Sequence, residues 1–123
     1  MKIIIQGGTI VNEGRSLRRD ILIEDNSIAA LFDPSETPRG IYDKIIDASG
    51  CFVFPGIIDA HVHFREPGLT HKADIESESR AAAFGGITSY MEMPNTSPQT
   101  TTPEAWQEKM NIASHNSHVN YSF

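Results

Sequence analysis

Cysteine is nearly absent. Cys51 stands alone among 123 residues, which excludes an internal disulfide framework and suits a reducing compartment. Basic charge is also short: ten Lys and Arg face sixteen Asp and Glu, a formal charge of −6. That balance leaves no electrostatic footprint for nucleic acid or for an anionic membrane surface. Long hydrophobic runs are missing too. After Lys2 come three isoleucines, Ile3 to Ile5, and then Gln6 and the Gly7-Gly8 pair, too short for a signal-peptide core or a membrane span. There is no internal repeat or low-complexity tract. A chain with 39% apolar and 21% charged residues reads as a soluble globular protein of about one domain, with a cytoplasmic location expected.

The two halves follow different grammars. Residues 1–54 alternate short β-branched runs with turn residues, as in Lys2 to Ile5, Ile21 to Glu24 and Ile45 to Asp47. Asp25-Asn26-Ser27 has the polar chemistry of a tight hairpin, and residues 33–40 form a loop rich in proline and charge. This pattern predicts a small antiparallel sheet of about five strands, in which Cys51 is a small buried hydrophobe. Residues 55–123 read as strand, helix, strand, helix, strand. Strands are expected at Ile57 to Phe64, Ile87 to Met93 and from His118 to Phe123. The first helix runs from Ala73 to Phe84, braced by Glu76 and Arg80 and stopped by Gly85-Gly86. Thr102 caps the second, Pro103 opens it, and Trp106, Met110 and Ala113 share one face. That order demands a parallel sheet with crossovers, which three strands leave unfinished. The fold expected is the start of a (β/α)8 barrel of roughly 250 residues, preceded by a small sheet region. On this reading the chain is the front piece of a larger protein.

Chemistry concentrates on the first of these strands. Along Ile57 to Arg65 the even positions 58, 60, 62 and 64 are apolar and the odd positions Asp59, His61, His63 and Arg65 are polar. Period-two alternation assigns them to opposite faces, the polar one pointing into a barrel. Leaving a neutral polar group unsatisfied there costs about 2–7 kcal/mol, so the imidazoles need a partner. His61 and His63 stand about 6–7 Å apart at the backbone, within reach of one divalent ion, and zinc comes first by ligand type. The competing reading is a solvated histidine pair at a strand end.

The run Phe54-Pro55-Gly56-Ile57-Ile58-Asp59-Ala60-His61-Val62-His63-Phe64-Arg65-Glu66-Pro67-Gly68, then Ala81 to Thr88 and Met93-Pro94-Asn95-Thr96-Ser97-Pro98, closely resembles the dihydroorotases of the cyclic amidohydrolase superfamily. The likeness covers about residues 50–100, and the strand-rich first half is similar to the small sheet that precedes the barrel in these enzymes. The resemblance implies a zinc centre, commonly binuclear, with His61 and His63 as ligands of the more buried ion. It implies hydrolysis of dihydroorotate to N-carbamoyl-L-aspartate, and the reverse cyclisation, in pyrimidine biosynthesis. Arg65 and Asn95 match the positions that the family uses for the substrate carboxylate. Relatives acting on hydantoins or allantoin share the His-x-His pair but generally lack that arginine and the Met-Pro-Asn-Thr run.

The remaining candidates carry no assigned role. Asp59 is read either as an acceptor for an imidazole or as part of a hydrogen bond across the barrel floor. His71 belongs to a solvated loop; His115 and His118 end a helix and are not ligands; Glu66 has no role. By the family pattern the bridging carboxylate, two further histidines and the proton-shuttling aspartate lie past Phe123. Residues 1–123 alone are therefore expected to be inactive, with weak metal binding and open sheet edges. A hydantoinase- or allantoinase-like enzyme, and a catalytically silent scaffold, are the alternatives. A homodimer is compatible with any of these readings, and neither nucleic acid nor membrane is expected as a partner.

Overall fold

The computed structural model describes all of residues 1–123. The chain divides into two compact units, Met1–Pro55 and Gly56–Phe123.

The first unit holds seven strands: β1 (Lys2–Gln6), β2 (Thr9–Asn12), β3 (Arg15–Arg18), β4 (Asp20–Glu24), β5 (Ser27–Phe32), β6 (Lys44–Asp47) and β7 (Phe52–Val53). They form a four-stranded sheet in the order β5-β4-β1-β6 and a three-stranded sheet in the order β3-β2-β7. The sheets are mixed, not purely antiparallel as expected from the sequence. β6 lies parallel to β1 and β7 parallel to β2, because each returns after a long excursion instead of a hairpin. Two tight hairpins supply the antiparallel part. Glu13-Gly14, both at positive φ, turns β2 into β3, and Asp25 at φ 54 turns β4 into β5. Ile4, Ile21 and Ala48 are buried. Asp20, also buried, accepts from the Gly7 N–H at 2.9 Å and from the Thr37 hydroxyl at 2.7 Å, which ties the charged loop to the sheet. Cys51 is exposed and not in the core. It lies on a turn outside the strands, where its backbone, not its side chain, is engaged: its carbonyl accepts from Thr9 and its N–H donates to Ala48.

In the second unit, β8 (Ile57–Val62), β9 (Ile87–Glu92) and β10 (Asn120–Ser122) form a parallel sheet in the order β10-β9-β8. Helix α1 (Ile75–Phe84) connects β8 to β9 and α2 (Pro103–Asn116) connects β9 to β10. The Asp74 carboxylate caps α1 by accepting from Ser77 N–H, and Glu66 accepts from Ile75 N–H at 2.9 Å, a structural bond at the same helix start. Glu76 and Arg80 pair at 3.2 Å, and the helix ends at Gly85 with Gly86 at φ 83. Thr102 and Pro103 open α2 as the sequence predicts.

The core joins Phe64, Ile75, Tyr90 and Ala113, with Val62, Ile112, Val119, Tyr121 and Phe123 packed against it. The Phe64 and Tyr90 rings lie 4.4 Å apart, and burial of each such side chain contributes roughly 1.5–3 kcal/mol. The inward face of α2 departs from the predicted one. Ala113 is buried, but Trp106 is 41% exposed, and the position that lies fully inside is Lys109. Burial pushes the Tyr90 phenol up to about 12, and its hydroxyl makes no hydrogen bond. The neighbouring Ser117 hydroxyl gives its proton to the Val119 carbonyl at 2.8 Å instead.

Candidate metal centre

The strand carrying the histidines is not a regular one. Asp59 pairs with Tyr90 and Val62 with Glu92, so β8 has one residue more than β9 over that interval, a bulge. Accessibility follows the same break: Ala60 and His61 are consecutive exposed residues, after which Val62 is half-buried, His63 exposed and Phe64 buried. The simple odd-even division therefore fails before the bulge. Asp59 lies in register beside buried Tyr90, on the helix side, and Ile58 is 63% exposed. The Asp59 carboxylate accepts from the His61 backbone N–H at 3.1 Å, serving the amide that the bulge leaves without a ladder partner.

His61 and His63 are brought together. Their ring centroids are 5.2 Å apart at an interplanar angle of 72°, and both side chains are accessible. His63 Nδ1 lies 2.9 Å from the Asn95 side-chain oxygen. That contact engages Nδ1 and leaves Nε2 as the ring nitrogen without a partner. Asn95 sits in the loop after β9, within the Met93 to Pro98 run, and its position is set by two backbone bonds, one to the last residue of β8 and one to the loop that follows it. Met93 N–H donates to Val62 O at 3.0 Å, and Ser97 N–H donates to Pro67 O at 3.1 Å. Gly68 makes that approach feasible: it stands at φ 81, and a Cβ there would lie 1.8 Å from the Ser97 carbonyl oxygen. No third His, Cys, Asp or Glu joins the pair, since the chain holds no cluster of three such residues.

Arg65 lies beyond the strand end, which comes at Val62 and not at Phe64. Its φ of 71 takes it out of the strand alternation that the sequence reading extended through it. The buried Glu92 carboxylate accepts its backbone N–H at 2.9 Å, while its guanidinium enters none of the chain's ion pairs. Of the other histidines, His115 and His118 are engaged elsewhere. His71 is exposed, His115 Nδ1 lies 2.8 Å from the Asn111 carbonyl oxygen, and His118 Nε2 lies 3.1 Å from Glu76 Oε1.

Sequence reasoning missed Glu92 and Lys109. Their carboxylate and ammonium lie 2.9 Å apart, 1% and 0% exposed, an ion pair whose angle falls outside hydrogen-bond geometry. The available signal was a Glu at the same strand parity as Tyr90, and a Lys on the helix face that also carries Ala113.

A family model described as Dihydro-orotase-like matches residues 50–120. A dihydroorotase of Lactobacillus helveticus (strain DPC 4571) is 46% identical over 104 residues, covering 85% of this chain and 23% of the relative. One from Syntrophotalea carbinolica is 48% identical over 100 residues, covering 80% and 23%. Among solved structures, the L-hydantoinase (dihydropyrimidinase) of Arthrobacter aurescens matches with a TM-score of 0.89 and 36% identity, over 98% of this chain and 26% of that one. The chain thus spans about a quarter of the length of these relatives. On the matched residues, which include the histidine pair, Arg65 and Asn95, this chain belongs to the dihydroorotase-like family.

Proposed function

We propose that this chain is the N-terminal part of a dihydroorotase, a zinc-dependent enzyme that opens dihydroorotate to N-carbamoyl-L-aspartate and closes it again in cytoplasmic pyrimidine biosynthesis. In that reading residues 1–54 are the small sheet region and β8, β9 and β10 are the first three strands of a (β/α)8 barrel. No helix here is long and apolar enough to cross a membrane.

The observation that carries the reading is the accessible imidazole pair with His63 pinned by Asn95. These donors fit a divalent ion. The two rings lie together at one strand end, and the Asn95 contact at His63 Nδ1 leaves Nε2 free to act as a ligand. When bound, such an ion polarises the ring amide and makes a hydroxide nucleophile available near neutral pH. The chain's own residues hold and orient. Arg65 offers an uncommitted planar fork for the substrate carboxylate, and the Asn95 amide nitrogen, left free while its oxygen holds His63, adds a donor. Remaining metal ligands and the general base belong to the rest of the full-length protein. Arg65 favours dihydroorotate over hydantoins, which carry no ring carboxylate for it to bind.

The test uses the full-length protein, with zinc content measured and turnover followed on dihydroorotate, N-carbamoyl-aspartate and hydantoin. The first two are expected to react and hydantoin to be left. His61→Ala should lose metal and rate together. Arg65→Ala should raise KM for dihydroorotate by about 10- to 100-fold, the worth of a charge-assisted carboxylate contact. Full metal and full activity in His61→Ala refute the assignment. Preference for hydantoin identifies a hydantoinase-like enzyme, and a folded, zinc-loaded protein without turnover identifies a scaffold.

A further inference from the structure

The second unit buries a carboxylate and an ammonium that the proposed chemistry does not use. Glu92 ends β9 at 2% exposure and Lys109 lies inside α2 at 0%. The Lys109 nitrogen is held between Glu92 Oε2, at 2.9 Å, and the Phe123 ring, 4.7 Å from its centroid. A buried ion pair is weak as a source of stability, because an apolar pair of similar volume packs as well without the cost of desolvation. What an apolar pair lacks is an acceptor, and Glu92 uses its second oxygen as one. Oε1 takes the backbone N–H of Arg65 at 2.9 Å.

That bond sits at a decisive place. The last β8–β9 backbone bond is Met93 N–H to Val62 O. Past it the chain leaves the sheet and Arg65 turns to φ 71, a conformation that costs energy for a residue with a side chain. The Glu92 side chain continues the ladder by one step and holds the amide there. His63 is thereby fixed between two anchored points, the carbonyl of Val62 and the amide of Arg65. We propose that Glu92, charge-balanced by Lys109, is a positioning residue: it sets the backbone from which the His63 imidazole and the Arg65 guanidinium project. For its catalytic consequence, this inference rests on the dihydroorotase reading above.

The test compares two double variants of the full-length protein, neither of which strands a buried charge. Glu92→Gln with Lys109→Met keeps an oxygen acceptor for Arg65; Glu92→Leu with Lys109→Met removes it. Hydrogen exchange resolved at the Arg65 amide, zinc retention, and KM against kcat for dihydroorotate are measured at matched thermal stability. The Leu variant should speed exchange at Arg65 and raise KM, each by about tenfold or more, the loss of one bond to a charged acceptor. The Gln variant should restore both towards wild type. If the Leu variant keeps slow exchange and wild-type KM, or if the Gln variant is as impaired as the Leu variant, the positioning role is overturned. If wild-type protein does not turn over dihydroorotate, the functional reading fails, while exchange at Arg65 still decides the positioning role.

Discussion

Substituting Gly68 by alanine tests whether the loops after β8 and β9 are held in contact by the absence of a side chain. A Cβ at Gly68 would lie 1.8 Å from the Ser97 carbonyl oxygen and 2.7 Å from its carbon. An ordinary carbon–oxygen contact begins at about 3.3 Å, so the loops must separate by about 1.5 Å. Separation breaks the Ser97 N–H bond to Pro67 O, worth about 1 kcal/mol. Alanine at φ 81 adds about 1–2 kcal/mol of left-handed backbone cost, giving roughly 2–3 kcal/mol together. Gly14→Ala is the control, because Gly14 has a similar φ of 71 and nothing within 4 Å of the added carbon. It should show the backbone cost of about 1–2 kcal/mol alone. In urea denaturation of the full-length protein, Gly68→Ala should therefore be the more destabilised of the two. Its kcat/KM should also fall, by up to about 100-fold if Arg65 and Asn95 are displaced by an ångström, whereas Gly14→Ala keeps wild-type kinetics. Equal stability and equal activity in the two variants would show that the contact between the loops does not matter.

Asn95→Ala removes the side chain that holds His63 at Nδ1, and should weaken zinc affinity by about 10- to 100-fold in competition with a chelator; unchanged affinity contradicts an orienting role for this contact. The Asp74 carboxyl is held below its ordinary value of 3.8 by the Ser77 N–H and then by the Ser77 hydroxyl. Its folded-state pKa is depressed, so its contribution is complete above that ordinary value and is lost as the pH falls through and below it. Asp74→Asn keeps a good cap without the titration, so its urea midpoint should fall less steeply than that of wild type below about pH 4; parallel curves would rule out this contribution.

The elements were legible where their causes are local. Thr102-Pro103, Gly85-Gly86 and the Glu76–Arg80 spacing act within a turn of helix, and each stands where the sequence places it. Parallel pairing was not legible. Ile45 meets Ile4 across some forty residues, and nothing near Ile45 specifies that partner. The bulge was hidden for a related reason: it is a mismatch between two strands, and β8 alone shows only perfect alternation. That alternation placed His61 and His63 together correctly but misplaced Asp59 and extended the strand through Arg65. Lys109 was passed over because a lysine on a helix ordinarily keeps its head in water, and only the facing Glu92 makes its burial tolerable.

The irregularity in β8 also governs the Asp59 carboxylate. The register shift pairs Asp59 with Tyr90 and leaves its carboxylate on the His61 backbone amide. The carboxylate is spent on the His61 backbone N–H at 3.1 Å and does not lie free beside the two rings. A regular strand would have set a carboxylate two residues from His61 on the surface presenting them.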